Sequence, residues 1–256
     1  MAISWWSLLI VCPLVFLSGL IDAVAGGGGL ISLPAYLLAR LSPHNAIATN
    51  KLSSCIGTVA STGRFVKNKC VDWPTAIPSA ALAVLGAVAG ANLVLSVDDD
   101  TVRIVMLVLV PVLAFFVIKK RDFTDVEPSK ISRKKQFAIV LSLALAVGVY
   151  DGFYGPGTGT FLLLAFTQLA RMPLNTAAGN VKIANLSSNL GSLVVFLINK
   201  QAVVPLGLIA AVFALAGHFL GAGLLLKKGS KVAKPLILTV LGLLCIRLIF
   251  DLVTGA

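Results

Sequence analysis

Residues 19–31 read Gly-Leu-Ile-Asp-Ala-Val-Ala-Gly-Gly-Gly-Gly-Leu-Ile, and residues 148–160 read Gly-Val-Tyr-Asp-Gly-Phe-Tyr-Gly-Pro-Gly-Thr-Gly-Thr. Each stretch ends an apolar helix, about Trp5 to Asp22 and Gln136 to Asp151, with an aspartate and then a glycine-rich break. After each break comes an apolar piece of about ten residues, Leu30 to Arg40 and Thr160 to Arg171. At 1.5 Å per residue such a piece covers roughly 16 Å, too little to cross a hydrocarbon core of about 30 Å.

The two breaks belong to a longer internal repeat. Gly19, Asp22, Gly26 and Gly28 return at one shared offset as Gly148, Asp151, Gly155 and Gly157. Pro43 and Asn50 return as Pro173 and Asn180 at an offset longer by one position. Lys51, Asn68, Lys69, Pro74, Gly86 and Gly90 return as Lys182, Asn199, Lys200, Pro205, Gly217 and Gly221, longer by one more. A register held that long divides the chain into two repeats, residues 1–120 and 134–256, joined by a charged cytoplasmic linker at 121–133. Three longer segments complete each repeat: about Ala46 to Val66, Trp73 to Leu95 and Val102 to Ile118, then Thr176 to Ile198, Val203 to Leu226 and Lys234 to Val253. These are long enough to cross.

Composition agrees. The 256 residues are 58% hydrophobic and only 12% charged, with a mean hydropathy of +0.98, which excludes an ordinary soluble protein. A net charge of +11 could suit nucleic acid, but the basic residues sit between apolar segments, where they orient the chain in a lipid bilayer. No nucleic-acid partner is expected. Met1 to Leu20 has no basic n-region and no Ala-x-Ala cleavage site, so it is expected to stay in the mature chain. Cys12, Cys55, Cys70 and Cys245 are far apart with no Cys-x-x-Cys, and His44 and His218 form no His-x-x-x-His, so no metal, disulfide or cofactor is expected. Both histidines read as buried bundle residues. No nucleotide-binding loop, Gly-x-Ser-x-Gly or His-Glu-x-x-His is present, and the chain does not read as an enzyme.

Charge sets the direction of the crossings. Arg64, Lys67 and Lys69 mark one basic loop, the seven basic residues from Lys119 to Lys135 a second, and Lys227, Lys228, Lys231 and Lys234 a third. All three are expected on the cytoplasmic side, with Asp98-Asp99-Asp100 and both termini outside. The second and third loops share a side only if Gln136 to Arg171 enters and leaves by the same face, as a re-entrant hairpin. The expected fold is therefore an all-α polytopic membrane protein of two inverted repeats, each a re-entrant broken-helix hairpin plus three transmembrane helices. That is a transporter architecture.

Irregular backbone is tolerated at membrane depth only inside protein or beside a watery cavity, so the breaks locate a central site. Gly28, Gly29 and Leu30 start one short helix and Gly157, Thr158 and Gly159 the other, presenting N–H groups that suit an anion. The alternative is that these glycines only permit close packing, the reading preferred for Gly86-x-x-x-Gly90 and Gly217-x-x-x-Gly221. Lys51 and Lys182, near the start of the first long span of each repeat, are expected to bind the anion unless they snorkel to an interface. Asn50, Asn185 and Ser54 can add hydrogen bonds, with Ser53, Ser187, Ser188 and Asn189 nearby. Asp22 and Asp151 have coupling or structural roles: each can pair with a lysine, carry a proton or cap the break.

Asp22-Ala-Val-Ala-Gly-Gly-Gly-Gly-Leu-Ile, Ser42-Pro43 and Ala48-Thr49-Asn50-Lys51-Leu52, together with Asp151-Gly-Phe-Tyr-Gly-Pro-Gly-Thr-Gly-Thr160 and the segment Lys182 to Asn189, resemble the sulfite exporter TauE/SafE family of membrane permeases, in particular its YfcA-like members. The resemblance covers nearly the whole chain. It implies a secondary transporter of small anionic sulfur compounds, of the sulfite, sulfonate or sulfoacetate type, in the cytoplasmic (inner) membrane of a bacterium, commonly working outward. Gly179-Asn180-Val181-Lys182 stands where the first repeat has Thr49-Asn50-Lys51, so the lysines align across a one-residue gap. Two other readings stay open, a non-transporting membrane subunit or scaffold and a proton-coupled uptake permease for a related anion. Association into a homo-oligomer is compatible with all three.

Overall fold

The computed structural model describes residues 5–102, 104, 131–229 and 231–232. Cys245, Lys234 to Val253, most of Val102 to Ile118 and the basic loop from Lys119 to Lys130 lie outside the described residues. The described chain is helical, without strands. In order its helices are α1 (Trp5–Ala25), α2 (Gly29–Leu38), α3 (Pro43–Lys67), α4 (Trp73–Leu95), α5 (Arg133–Phe153), α6 (Thr158–Gln168), α7 (Leu174–Ile198) and α8 (Val204–Lys228). Their lengths run 21, 10, 25 and 23 residues, then 21, 11, 25 and 25. The four-helix pattern thus occurs twice.

Five of these helices, α1, α4, α5, α7 and α8, are long and apolar enough to cross a membrane. Although α3 has the length, it carries Asn45, Thr49, Asn50, Lys51, Ser53, Ser54, Thr58, Ser61 and Thr62 and fails on hydropathy. Most of these polar side chains are buried, Ser53, Thr58 and Ser61 completely, while Leu208, Val212 and Phe219 of α8 are exposed. The bundle thus buries a set of polar side chains within a largely apolar core and turns an apolar surface outward, as a lipid environment requires.

Local sequence sets the helix limits. Ser42 caps α3 by accepting from the Asn45 N–H, and Pro43 fills the first turn, where an N–H would have no partner, so α3 begins three residues before the expected Ala46. Ser132 accepts from the Lys135 N–H and likewise starts α5 earlier than Gln136. Arg133 and Lys134, placed in the linker or at its edge by sequence, are helical, and Arg133 is held by Asp72 at 2.5 Å. The hairpin arm α1 runs past Asp22 to Ala25. At the C-termini of α3 and α7, Lys69 and Lys200 take φ of 57° and 55°, and the next N–H groups return to Phe65 and Phe196.

Packing repeats in the same way. A Cβ on Gly86 would lie 2.4 Å from the Leu145 carbonyl oxygen and one on Gly90 2.0 Å from that of Val149, while Gly217 and Gly221 meet Phe16 at 2.1 Å and Leu20 at 2.3 Å. Both Gly-x-x-x-Gly pairs are therefore backbone contact points, joining α4 to α5 and α8 to α1, with each pair of helices running in one direction. Each hairpin arm thus packs against the last helix of the other four-helix set. Two further bonds cross between the sets: the Asp72 N–H donates to Asn180 at 2.9 Å, and the Val203 N–H to Thr49 at 3.0 Å.

Candidate functional site

The breaks meet each other. The Thr160 N–H donates to the Gly26 carbonyl at 3.2 Å, and the Thr160 hydroxyl to the Ala25 carbonyl at 2.6 Å. Gly26 has φ of 76°, and a Cβ there would lie 2.1 Å from the Gly159 carbonyl carbon, so both positions need glycine for the two backbones to touch. The start of α6 is consequently occupied by protein. Gly157, Thr158 and Gly159, expected at an anion site, are used for this contact and its turn: Gly157 takes φ of 85° against Phe161, and the Thr158 hydroxyl donates to Gly155 at 2.7 Å.

Beside this junction lies a small polar cavity. The first hairpin contributes Ser18, Asp22, Gly28 and Gly29; the second, Asp151 and Gly155. Asn50, Lys51 and Ser54 come from α3, Asn185 and Asn189 from α7, and His218 from α8. The wall thus gathers the sequence candidates Gly28, Gly29, Asn50, Lys51, Ser54 and Asn185 with both aspartates. Lys182 sits behind Asp22, and Gly157, Thr158 and Gly159 lie away from this wall.

Two ion pairs cross the cavity region, each joining one four-helix set to the other. Lys51 Nζ is 2.8 Å from Asp151 Oδ2 and also donates to Asn189 Oδ1 at 3.1 Å. Lys182 Nζ is 2.8 Å from Asp22 Oδ2 and donates to the Asp22 carbonyl at 2.5 Å. Each lysine is the ninth residue of a 25-residue helix, about 12 Å along its axis from the start. With exposures of 2% and 3%, neither snorkels. Bonds to carboxylate, carbonyl and amide use two of the three hydrogens on each ammonium. The third on Lys51 is available to the cavity that it lines.

The aspartates also carry structure. The Gly28 N–H donates to Asp22 Oδ1 at 3.3 Å, so Asp22 caps the break as well as pairing with Lys182. The Ser18 hydroxyl closes the turn on the Gly28 carbonyl at 2.8 Å. Asp151 accepts from the Ser188 hydroxyl at 2.6 Å.

Sequence reading missed Ser18 and Gly155 and reduced His218 to a buried bundle residue. His218 lies 3.8 Å from Asp22 through Nε2 and 3.2 Å from Ser61 through Nδ1. Its one signal along the chain was a failure of the repeat. The offset that links Gly86 to Gly217 sets Ala87 against His218 and Gly57 against Ser188, so these two positions do not recur. His44 lies away from the cavity and is only partly buried, its Nδ1 2.5 Å from Asp99. Among the described residues no cluster of His, Cys, Asp and Glu is set to hold a metal.

The model of the family described as Sulfite exporter TauE/SafE matches residues 11–248. The chain is 33% identical to the probable membrane transporter protein YfcA of Escherichia coli over 253 residues, covering 96% of this chain and 93% of that protein. It is 34% identical to a probable membrane transporter protein of a Sinorhizobium species over 236 residues, 92% of this chain and 90% of the relative. A probable membrane transporter protein of Haemophilus influenzae is 29% identical over 236 residues, 92% of each chain. No solved structure matches.

Proposed function

The chain belongs to the sulfite exporter TauE/SafE family, a family of membrane transporters, and from that premise we propose that it is a secondary transporter moving small anionic sulfur compounds, of the sulfite, sulfonate or sulfoacetate type, out across the cytoplasmic membrane of a bacterium. One observation carries this reading: a small, partly open polar cavity beside two broken helices, within a bundle whose outer surface is apolar. A scaffold needs no such cavity, since buried polar groups in lipid are unfavourable unless they serve a ligand or a partner.

The anion is held by the third ammonium hydrogen of Lys51, the amides of Asn50, Asn185 and Asn189, and Ser54, with Gly28 and Gly29 giving close approach on the opposite wall. Lys182 acts through Asp22. The two repeats, 1–120 and 134–256, have opposite orientation in the membrane, each hairpin returning to its side of entry. Alternating access is then a rocking of one set of helices against the other about the hairpin contact.

Counterflow of labelled anions in proteoliposomes tests the reading. Exchange of sulfite, a sulfonate or sulfoacetate supports it, and loss of exchange in Lys51→Ala protein that still inserts assigns the site. Silence across the whole panel favours the scaffold. Orientation is tested separately by single-cysteine labelling in a Cys-free background. Cysteines at Ser96 and Lys67 are expected to react from opposite sides of the membrane; reaction from one side overturns the assigned orientation.

A further inference from the structure

Resting on the transporter reading, we propose that the cavity takes its anion together with one proton, and that this proton is held between His218 and Asp22. Lys51 faces Asp151 and Lys182 faces Asp22, each at 2.8 Å, so the ionic groups balance and a neutral His218 adds nothing. An anion entering alone leaves an uncompensated negative charge among side chains that are nearly all buried, where little solvent can offset it. A proton taken up with the anion restores the balance.

Geometry says where that proton goes. Asp151 meets Lys51 and the Ser188 hydroxyl on one oxygen, Oδ2, the hydroxyl at 2.6 Å, and among the described residues no histidine stands beside it. Asp22 has one. From α7 it faces Lys182 and from the hairpin the Gly28 N–H; from α8 it faces His218 Nε2 at 3.8 Å, beyond hydrogen-bond reach. His218 in turn faces Ser61 from α3, Asp22 from α1 and, more remotely, Lys182 from α7. With the Ser61 hydroxyl hydrogen on the Thr58 carbonyl at 3.0 Å, its oxygen can accept from His218 Nδ1 at 3.2 Å, and the tautomer proposed has the imidazole hydrogen on Nδ1. Nε2 then turns a lone pair toward a carboxylate oxygen. Two acceptors facing across 3.8 Å are unfavourable until a proton lies between them, when they become a charge-assisted hydrogen bond about 1 Å shorter.

The room for this ring is specific to one side. A Cβ on Gly57 would lie 2.7 Å from His218 Cδ2, and one on Gly19 3.0 Å from it. The matching positions of the other pair are Ser188 and Ala87, where a hydroxyl donates to Asp151 Oδ2 and no imidazole exists. Among the described residues there is consequently one such proton site in the cavity, and one proton accompanies each anion. The proton comes from the water on the side where the anion binds and leaves to the water on the other. A monoanion with its proton moves no net charge, so the direction of transport follows the product of the anion and proton gradients. Export then runs on an internal excess of the anion.

The test uses the full-length protein in liposomes, loaded with a monoanionic sulfonate that has passed counterflow, with a pH dye in the lumen and the potential clamped by potassium and valinomycin. Anion efflux without a starting pH gradient is expected to make the lumen alkaline, one proton leaving per anion. The final anion distribution is expected to be the same with and without an imposed potential, whereas a monoanion moving alone shifts about 50-fold for about 100 mV. In His218→Gln, which retains a hydrogen-bonding group but binds no proton, proton movement is expected to vanish and any remaining anion flux to follow voltage. Wild-type flux that follows voltage without a proton signal overturns the coupling and leaves the transporter reading intact. Proton movement unchanged in His218→Gln overturns the assignment to His218. Should that variant not fold, the wild-type proton ratio and voltage response decide the coupling by themselves. A chain silent in counterflow for every anion loses both readings.

Discussion

The ion pair Lys51–Asp151 and the ion pair Lys182–Asp22 are made from residues that recur along the chain, yet they are different chemical objects. In the first, both side chains are 2% exposed, with a serine hydroxyl on the carboxylate and an asparagine amide on the ammonium. In the second, Asp22 is 14% exposed, caps a glycine turn and has a histidine standing off at 3.8 Å. A duplicated scaffold thus fixes where charges sit, while one or two unmatched small residues decide what they do. Gly57 opposite Ser188 and Ala87 opposite His218 give one carboxylate a serine hydroxyl and the other an imidazole neighbour.

The severest challenge to this contrast is to remove one aspartate at a time. Asp151→Ala leaves Lys51 buried without a counter-charge and is expected to destabilise the protein by about 3–5 kcal/mol. The readout is the yield and thermal midpoint of monodisperse protein in detergent. Asp22→Ala should cost less, about 2–3 kcal/mol, because its surroundings are partly open and the Asp22 carbonyl still accepts from Lys182. Equal losses would show that the two pairs are equivalent after all.

Next in size is the contact between hairpins that holds both pairs in place. Gly159→Ala puts a methyl 2.6 Å from Gly26 Cα, where backbone faces backbone and nothing can rotate away. A loss of about 1–3 kcal/mol is expected, together with reduced anion counterflow, since overpacking here separates the cavity walls. Gly63→Ala serves as the control, because a Cβ there meets nothing within 4 Å and helix propensity favours alanine. It should be neutral or stabilising by up to about 1 kcal/mol. A Gly159→Ala protein as stable and active as the control would mean that the hairpins do not need their close approach.

A smaller perturbation exchanges the two environments. Gly57→Ser with His218→Ala gives the Asp22 side the residues found at the Asp151 side. Its stability is expected to stay within about 1.5 kcal/mol of wild type, since volume lost at one position is partly refilled at the other. Proton movement with the anion should be lost. Retention of a proton-coupled signal by this double variant would show that the difference between the pairs is not what couples the proton.

The smallest effect is expected outside the cavity altogether. Arg133 pairs with Asp72 at 2.5 Å, but its side chain is 56% exposed. Water screens such a pair, so Arg133→Met is expected to change stability by about 1 kcal/mol or less. The same denaturation measurement used for Asp151→Ala checks it, and a loss of similar size would mean that burial is not what separates strong pairs from weak ones in this protein.

Much of this was legible along the chain. Asp22, Asp151, Lys51 and Lys182 announced themselves because an ionisable residue in an apolar segment has few reasons to be there, and their recurrence at nearly one offset tied them to one design. The breaks were legible for a related reason: four glycines, or Gly-Pro-Gly, cannot continue a helix without loss. The aspartates had three open roles, and Asp22 takes two of them at once. What could not be read was pairing. Lys51 finds Asp151 and Lys182 finds Asp22, each a partner in the other repeat, because α5 packs on α4 and α1 packs on α8.

The solvent of this protein, its helical content and the identity of the charged residues inside it all follow from local hydropathy and backbone chemistry, and the order of residues was enough to set them. Only the packed bundle settles that Gly159 meets the other hairpin, with the Thr160 N–H donated to Gly26, and that His218 stands beside Asp22. The reason is that a helix N-terminus offers the same N–H groups to an anion or to a neighbouring carbonyl, and a buried histidine has the same periodicity as any bundle residue. Which partner reaches such a group depends on how helices far apart in the chain pack, and that geometry has no local signal.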